Sequence, residues 1–382
     1  MLTAMKKIKW KHYVNYFVIS LVTILFAVMS MNGSLDRSTL ILLEKVAISV
    51  ILAVSLSLIV GFLGELSLGH AGFMCVGAFL GGKASCLLEP IFGRDNILCL
   101  IISVLIGGLV AALCGILIGL PALRLKGDYL AIVTLAFGEI VRTIFMNSSE
   151  ESFGGTLGLS TPRYDRNSLF IIAFIIILIT LFVIQNLIRS KHGRAITSIR
   201  DNEIAARATG INVTKYKLSV FTIAAFFAGV AGVLYSFSNY NVQSSKMNYN
   251  YSIEILVMVV LGGMGNINGS IIAATLITIL DVKLQEVLTG DLAVLQDLVY
   301  ALILIVLVIY NNAPALKNIR EKFSIKNLVH KIIKPKRDPS HRADDEAKWD
   351  RVPTKIEMNE VLSVEVQPTS STLNPDRKEG GK

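Results

Sequence analysis

The sequence predicts a polytopic all-α membrane protein, on three observations. Of its 382 residues, 53% are apolar and only 17% charged, whereas soluble domains carry about 25% charged residues. The mean hydropathy is +0.60. The apolar residues gather into runs about 17 to 25 long, which lets a helix cross roughly 30 Å of hydrocarbon. An ordinary soluble enzyme is excluded.

Taken in order, the runs lie near 13–30, 40–63, 68–88, 97–120, 129–146, 169–188, 218–237 and 293–311, with an interrupted apolar stretch over 253–281. They predict about eight full transmembrane helices plus a glycine-broken half-helix pair, eight to ten membrane segments in all. The first run follows Lys6, Lys7, Lys9 and Lys11, a pattern shared by signal peptides and uncleaved first spans. The many later spans favour the second. Cys75, Cys86, Cys99 and Cys114 all fall inside apolar segments, where a thiol acts as a small hydrophobe.

Charge sets the expected orientation. Segment 189–217 carries Arg189, Lys191, Arg194, Arg200, Arg207, Lys215 and Lys217 against Asp201 and Glu203, and short loops rich in Lys and Arg stay in the cytoplasm. Counting spans from a cytoplasmic N-terminus, residues 1–12, brings the chain back inside at 189. The region after 311 is again basic, with Lys317, Arg320, Lys322 and Lys326, so the number of full crossings should be even. A broken pair over 253–281, interrupted at Gly262, Gly263, Gly265, Asn266 and Gly269, enters and leaves by one face and keeps that parity. Irregular backbone at membrane depth needs protein or a water-filled cavity to satisfy it, which hints at a translocation path. A simple kinked turn between two helices is the alternative. The permease domain is expected over 13–317 and a basic, then disordered, cytoplasmic tail over 318–382.

The most informative polar stretch is His192–Lys217. Ser198 and Asp201 form an S-x-x-D box, good helix formers follow, and Gly210 is placed to end the helix in a left-handed cap. A cytoplasmic helix over about 199–209 is therefore expected, with Ile204, Ala205 and Ala208 forming a small apolar face beside Glu203 and Arg207.

Glu203-Ile204-Ala205-Ala206-x-x-x-Gly210 resembles the E-A-A-x-x-x-G coupling motif of ATP-binding-cassette (ABC) importer permeases. With Gly193-Arg194-Ala195-Ile196, Asp201-Asn202 and Gly210-Ile211-Asn212-Val213-Thr214-Lys215-Tyr216-Lys217 it resembles the LivM-type subunits of branched-chain amino-acid transporters. Leu66–Phe73, Leu123–Arg142, Gly154-Gly155-Thr156-x-Gly158-Leu159-Ser160 and Val260–Gly265 are similar to the same family. The likeness runs from about 55 to 311.

The resemblance implies an ABC importer permease fold, with Arg200, Glu203, Ala205, Ala206 and Gly210 seated in a cleft of an ATPase subunit. It implies a second homologous permease subunit, two ATPase subunits, an extracytoplasmic solute-binding protein and leucine, isoleucine or valine as cargo. ATP and magnesium would be used by the ATPase subunits, and this chain would bind no cofactor and no metal. Candidates for the path are Ser67, Gly69, His70, Gly72, Thr134, Glu139, Arg142, Gly262, Gly263 and Asn266.

Each candidate has a plainer reading. Glu139 and Arg142 are three apart on one helix and can pair with each other. His70 among small residues can be a packing histidine, and Ala224, Ala228 and Gly232 form a small-residue face of the kind helix packing in lipid uses. No HExxH, Walker A, GxSxG or Cys/His cluster occurs, so no hydrolytic or phosphate site is predicted. The formal charge of +9 lies at span ends, as membrane topology requires, and argues for no nucleic-acid partner. The rival functions are an ABC permease for urea, amides or other amino acids, and an ion-coupled secondary transporter.

Overall fold

The computed structural model describes residues 14–31, 35–93, 96–125, 127–162, 164–288 and 296–312. The expected N-terminal segment 1–12 and tail 318–382 lie outside the described residues.

Each apolar run is a helix. In chain order these are α1 (Val14–Met31), α2 (Arg37–Ser57) continuing into a π-helical turn at Leu58–Leu63, α3 (His70–Phe92), α4 (Ile97–Ala122) and α5 (Asp128–Met146). After the single turn α6 (Glu150–Phe153) and strand β1 (Leu159–Ser160) comes α7 (Arg166–Arg189). The polar segment holds α8 (Lys191–Asp201) and α9 (Glu203–Ala208). Then come α10 (Val213–Asn239), β2 (Asn241–Val242), α11 (Tyr249–Gly262), α12 (Ile267–Val287) and α13 (Gln296–Asn312). Among the described residues, seven helices are long and apolar enough to cross a membrane. The protein is an all-α polytopic membrane protein, with one two-residue antiparallel pairing of β1 and β2.

Side chains set where helices begin. Asn96, Asp165, Asn212 and Asn248 each accept a backbone N–H of the helix they precede, at 2.9, 3.1, 3.0 and 3.1 Å, satisfying donors that the helix itself leaves unpaired.

The centre of the bundle is α2, buried nearly throughout from Val46 to Leu63 and packed against α7, α10, α11 and α12. The other tight joint is α10 with α3 and α4. A Cβ on Gly77 would run into the backbone of Gly229, and one on Gly232 into the carbonyl of Met74. Glycine therefore lets these backbones touch, which in lipid substitutes for the missing hydrophobic drive. Gly229 and Gly232 lie at this joint, and Ala224 and Ala228 of the same helix are fully buried. In the 154–160 loop Gly154, Gly155 and Gly158 all have positive φ, and a Cβ on Gly158 would lie 2.6 Å from the carbonyl of Val242.

The broken pair is unequal. Its first member, α11, has 14 residues, about 21 Å of helix; its second, α12, has 21 and is itself long and apolar enough to cross. The intervening turn does not lie at mid-depth. It sits at the end of the bundle that carries the 189–217 segment, where a Cβ on Gly265 would be 3.4 Å from Gly61 O and 3.7 Å from Arg200 Nη1. Truly irregular backbone instead occupies 64–69, which leads back into the bundle. There Leu68 N–H donates to Thr134 Oγ1 at 3.0 Å and His70 Nε2 lies 2.8 Å from Ser55 Oγ.

Candidate functional site

The polar loop is two helices, where one over 199–209 is expected. The proposed Ser198–Asp201 box does not form: Ser198 Oγ donates to the carbonyl of Ala195 at 2.8 Å inside α8, and Asp201 pairs with Arg200. Ser190 caps α8, accepting from His192 N–H at 3.1 Å. Asn202 is extended, at φ −159° and ψ 104°, and caps α9 through Ala205 N–H at 3.0 Å. An Asn side chain competes well for backbone donors, and here it divides the helix. Gly210 has φ +84° with open space where a Cβ would stand, the expected left-handed end. On α9, Ala206 is buried, whereas Ile204 is 78% exposed.

Beneath this loop lies a buried charge cluster. Lys217, whose side chain is 4% exposed, lies 3.2 Å from Glu203 Oε2 and also pairs with Glu65. Glu203 holds Arg207 at 2.6 Å through its other oxygen. Beside it Arg200 Nη1 donates to the carbonyl of Gly61 at 3.1 Å while Nε and Nη2 hold Asp201 Oδ1. Arg200 also fills the space over Gly64, where a Cβ would meet its Cγ at 2.6 Å. Thus Arg200 and Glu203 both anchor the loop to the π-helical end of α2.

The other candidates join helices. A Cβ on Gly72 would lie 2.6 Å from Gly138 Cα, and one on Gly69 would run into the backbone of Thr134, so Gly69, Gly72 and Thr134 make the α3–α5 joint. Ala71 N–H donates to Ser252 Oγ at 3.0 Å, tying α3 to α11. Ser67 Oγ and His70 Nδ1 are buried without a hydrogen-bond partner among the described residues. Glu139 and Arg142 pair at 2.7 Å, and Glu139 Oε1 also accepts Tyr249 N–H at 2.9 Å, at the first turn of α11. A carboxylate there satisfies a free donor and opposes the positive end of the helix dipole. Gly262 presses on Gly269 and Ser270, while Gly263, at φ +88°, and Asn266 shape the turn between α11 and α12.

Sequence reasoning missed a cavity of about 650 Å³ between α2, α3, α10, α11 and α12. Lys45, Lys246, Glu254 and Asp281 line it, with Met74, Met258 and Thr278; none of the path candidates does so among its described lining residues. It also missed the buried group at the opposite end of α2. There Glu44, 1% exposed, pairs with Arg166 at 3.1 Å and accepts from Ser238 Oγ. The signal was present: ionisable residues inside lipid-length runs, the rule that singled out Glu139 and Arg142.

Residues 38–309 match the family model described as "Branched-chain amino acid transport system / permease component". The chain belongs to this family. Its relatives include the high-affinity branched-chain amino acid transport system permease protein LivM of Salmonella typhimurium, 36% identical over 280 residues, 65% of this chain and 63% of the relative. The match thus spans less than two thirds of that relative's length. The probable branched-chain amino acid transport permease protein LivM of Methanocaldococcus jannaschii is 28% identical over 62% of this chain and 78% of the relative. The ribose import permease protein RbsC of Haemophilus influenzae is 26% identical over 76% and 90%. No solved structure gives a significant match. In this branched-chain permease-family chain the matched region takes in α2 to α12, the charge cluster and the cavity.

Proposed function

We propose that this chain is a permease subunit of an ABC importer, pairing with a second homologous permease and two ATPase subunits to import branched-chain amino acids delivered by an extracytoplasmic binding protein. The observation that carries this reading is the Glu203–Lys217–Glu65 link. It ties a short loop helix with an outward-facing Ile204 to the most buried helix of the bundle. An apolar side chain standing on a charged loop suits a cleft on a partner protein, and a buried ion cluster passes displacement rather than absorbing it.

In this reading α9 seats in the ATPase subunit, which hydrolyses ATP with magnesium, and this chain has no catalytic role. Arg200 and Glu203 carry the movement to the end of α2; Ala205 and Ala206 keep α9 slim, and Gly210 lets the chain turn back. The segment Ser67–Gly72, Thr134, the Glu139–Arg142 pair and the turn at Gly262, Gly263 and Asn266 set the walls of the path by fixing where α3, α5, α11 and α12 meet. The basic charge of the 189–217 segment supports a cytoplasmic position for that end of the bundle and for both termini.

The similarity to a ribose import permease supports the importer architecture and leaves cargo to the branched-chain relatives. The deciding test is uptake of labelled leucine, with unlabelled valine, alanine and urea as competitors, in cells with and without the gene. Loss of uptake on deletion, competed by valine, is expected; unchanged leucine uptake would remove the cargo. Gly210→Pro or Glu203→Lys should abolish uptake, whereas full transport in both would argue for a carrier driven by ions.

A further inference from the structure

The cavity between α2, α3, α10, α11 and α12 carries both signs of charge. Lys45 and Lys246 balance Glu254 and Asp281 in its wall. Tyr300 Oη donates to Glu254 Oε1 at 2.7 Å, fixing that carboxylate from α13. Thr278 also lines the space; it is 6% exposed and its Oγ1 has no hydrogen-bond partner among the described residues. A buried hydroxyl left so calls for a partner that occupies the space beside it. The volume of about 650 Å³ lies within the roughly 300–1,000 Å³ of small-ligand sites.

We infer that this cavity is a binding chamber for a zwitterionic α-amino acid, its ammonium held by Glu254 and Asp281 and its carboxylate by Lys45. The inference rests on the importer reading and deepens it. Two fixed charges of each sign make a site of no net charge, and a zwitterion keeps it so. A lone anion or cation would leave one charge uncompensated, at a cost that grows as water is excluded from the site. Thr278 adds a hydrogen bond to either head group. Ile48, Met74 and Met258 also line the space; the flexible thioethers adapt to branched aliphatic side chains of different shape. The solute is thus read inside this chain, at its ammonium and its carboxylate together.

The test uses the complete transporter in proteoliposomes. A Thr278→Cys variant is exposed to a small thiol-reactive ammonium reagent, with the unsubstituted chain as background. Leucine should slow labelling at least about tenfold, while 4-methylpentanoate, which lacks the ammonium, and 3-methylbutan-1-amine, which lacks the carboxylate, should not. Asp281→Asn and Lys45→Met should each raise the leucine KM about tenfold, with Asp281→Glu recovering most of the loss. Labelling indifferent to leucine in a complex that still imports it would overturn the chamber, as would equal protection by the two one-charge analogues. If the thiol variant does not assemble, KM decides: unchanged values in both charge variants would overturn the inference. Failure of the unsubstituted complex to import any branched-chain amino acid would instead bring down the importer reading, and the inference with it.

Discussion

Lys217 Nζ stands 3.2 Å from Glu203 Oε2, joining the second turn of α10 to the loop helix α9, and the same ammonium pairs with Glu65. Replacing it with methionine leaves two carboxylates facing each other in a largely buried site. Lys217→Met should destabilise the protein by about 3 kcal/mol, and Lys217→Arg by much less. Thermal unfolding in detergent measures the first effect; leucine uptake per folded complex measures coupling, and should fall further than the folded fraction does.

Gly210 and Gly61 separate two costs of a methyl group. Gly210 has φ +84° and open space around it, so Gly210→Ala should cost only the left-handed backbone penalty of about 1 kcal/mol. A Cβ on Gly61 would meet Gly265 Cα at 2.9 Å and press still harder on its nitrogen. Gly61→Ala must therefore push α2 from the α11–α12 turn, at about 1–3 kcal/mol. Melting temperatures of the two variants should differ in that order, with the larger loss of uptake in Gly61→Ala.

Glu139 serves two partners. Glu139→Gln keeps an oxygen to accept Tyr249 N–H and loses the half-buried ion pair with Arg142, a change of under about 1 kcal/mol. Glu139→Ala removes the acceptor as well and should cost about 1–2 kcal/mol more. Equal melting temperatures for the two variants would show that the bond to α11 contributes nothing.

At the opposite end of α2, Glu44 lies buried against Arg166 and Ser238. Arg166→Met strands the carboxylate, and a loss of about 3–5 kcal/mol is expected. The double variant Glu44→Gln with Arg166→Met should regain part of that loss in the same unfolding assay, because the uncompensated charge has gone.

Most of the helical layout was legible, since lipid allows little besides continuous apolar helices, and length with composition finds them. Boundaries inside the polar loop were not. Ser198 and Asn202 are both good caps, and the choice between them depends on where Ile196 and Ile199 are buried. The long-range pairs escaped for a different reason. Lys217 and Glu65 are 152 positions apart, and the cavity draws on five helices, α2, α3, α10, α11 and α12, so no local spacing records either. The Glu139–Arg142 pair was readable because i and i+3 meet on any helix.

The π-helical turn at Leu58–Leu63 holds Gly61 and leads to Glu65. A π turn contains one residue more than the α turn it replaces, so α2 carries a spare residue at its loop end. Removing a single residue from 58–63 would let this turn close at the regular α pitch, so that Glu65 keeps its face toward Lys217. Removing one from the α-helical part before it, Arg37–Ser57, would instead swing everything beyond the deletion about 100° around the axis. The spare residue is thus a reserve of chain length, and a one-residue deletion inside 58–63 should be tolerated better than one within the preceding turns of α2.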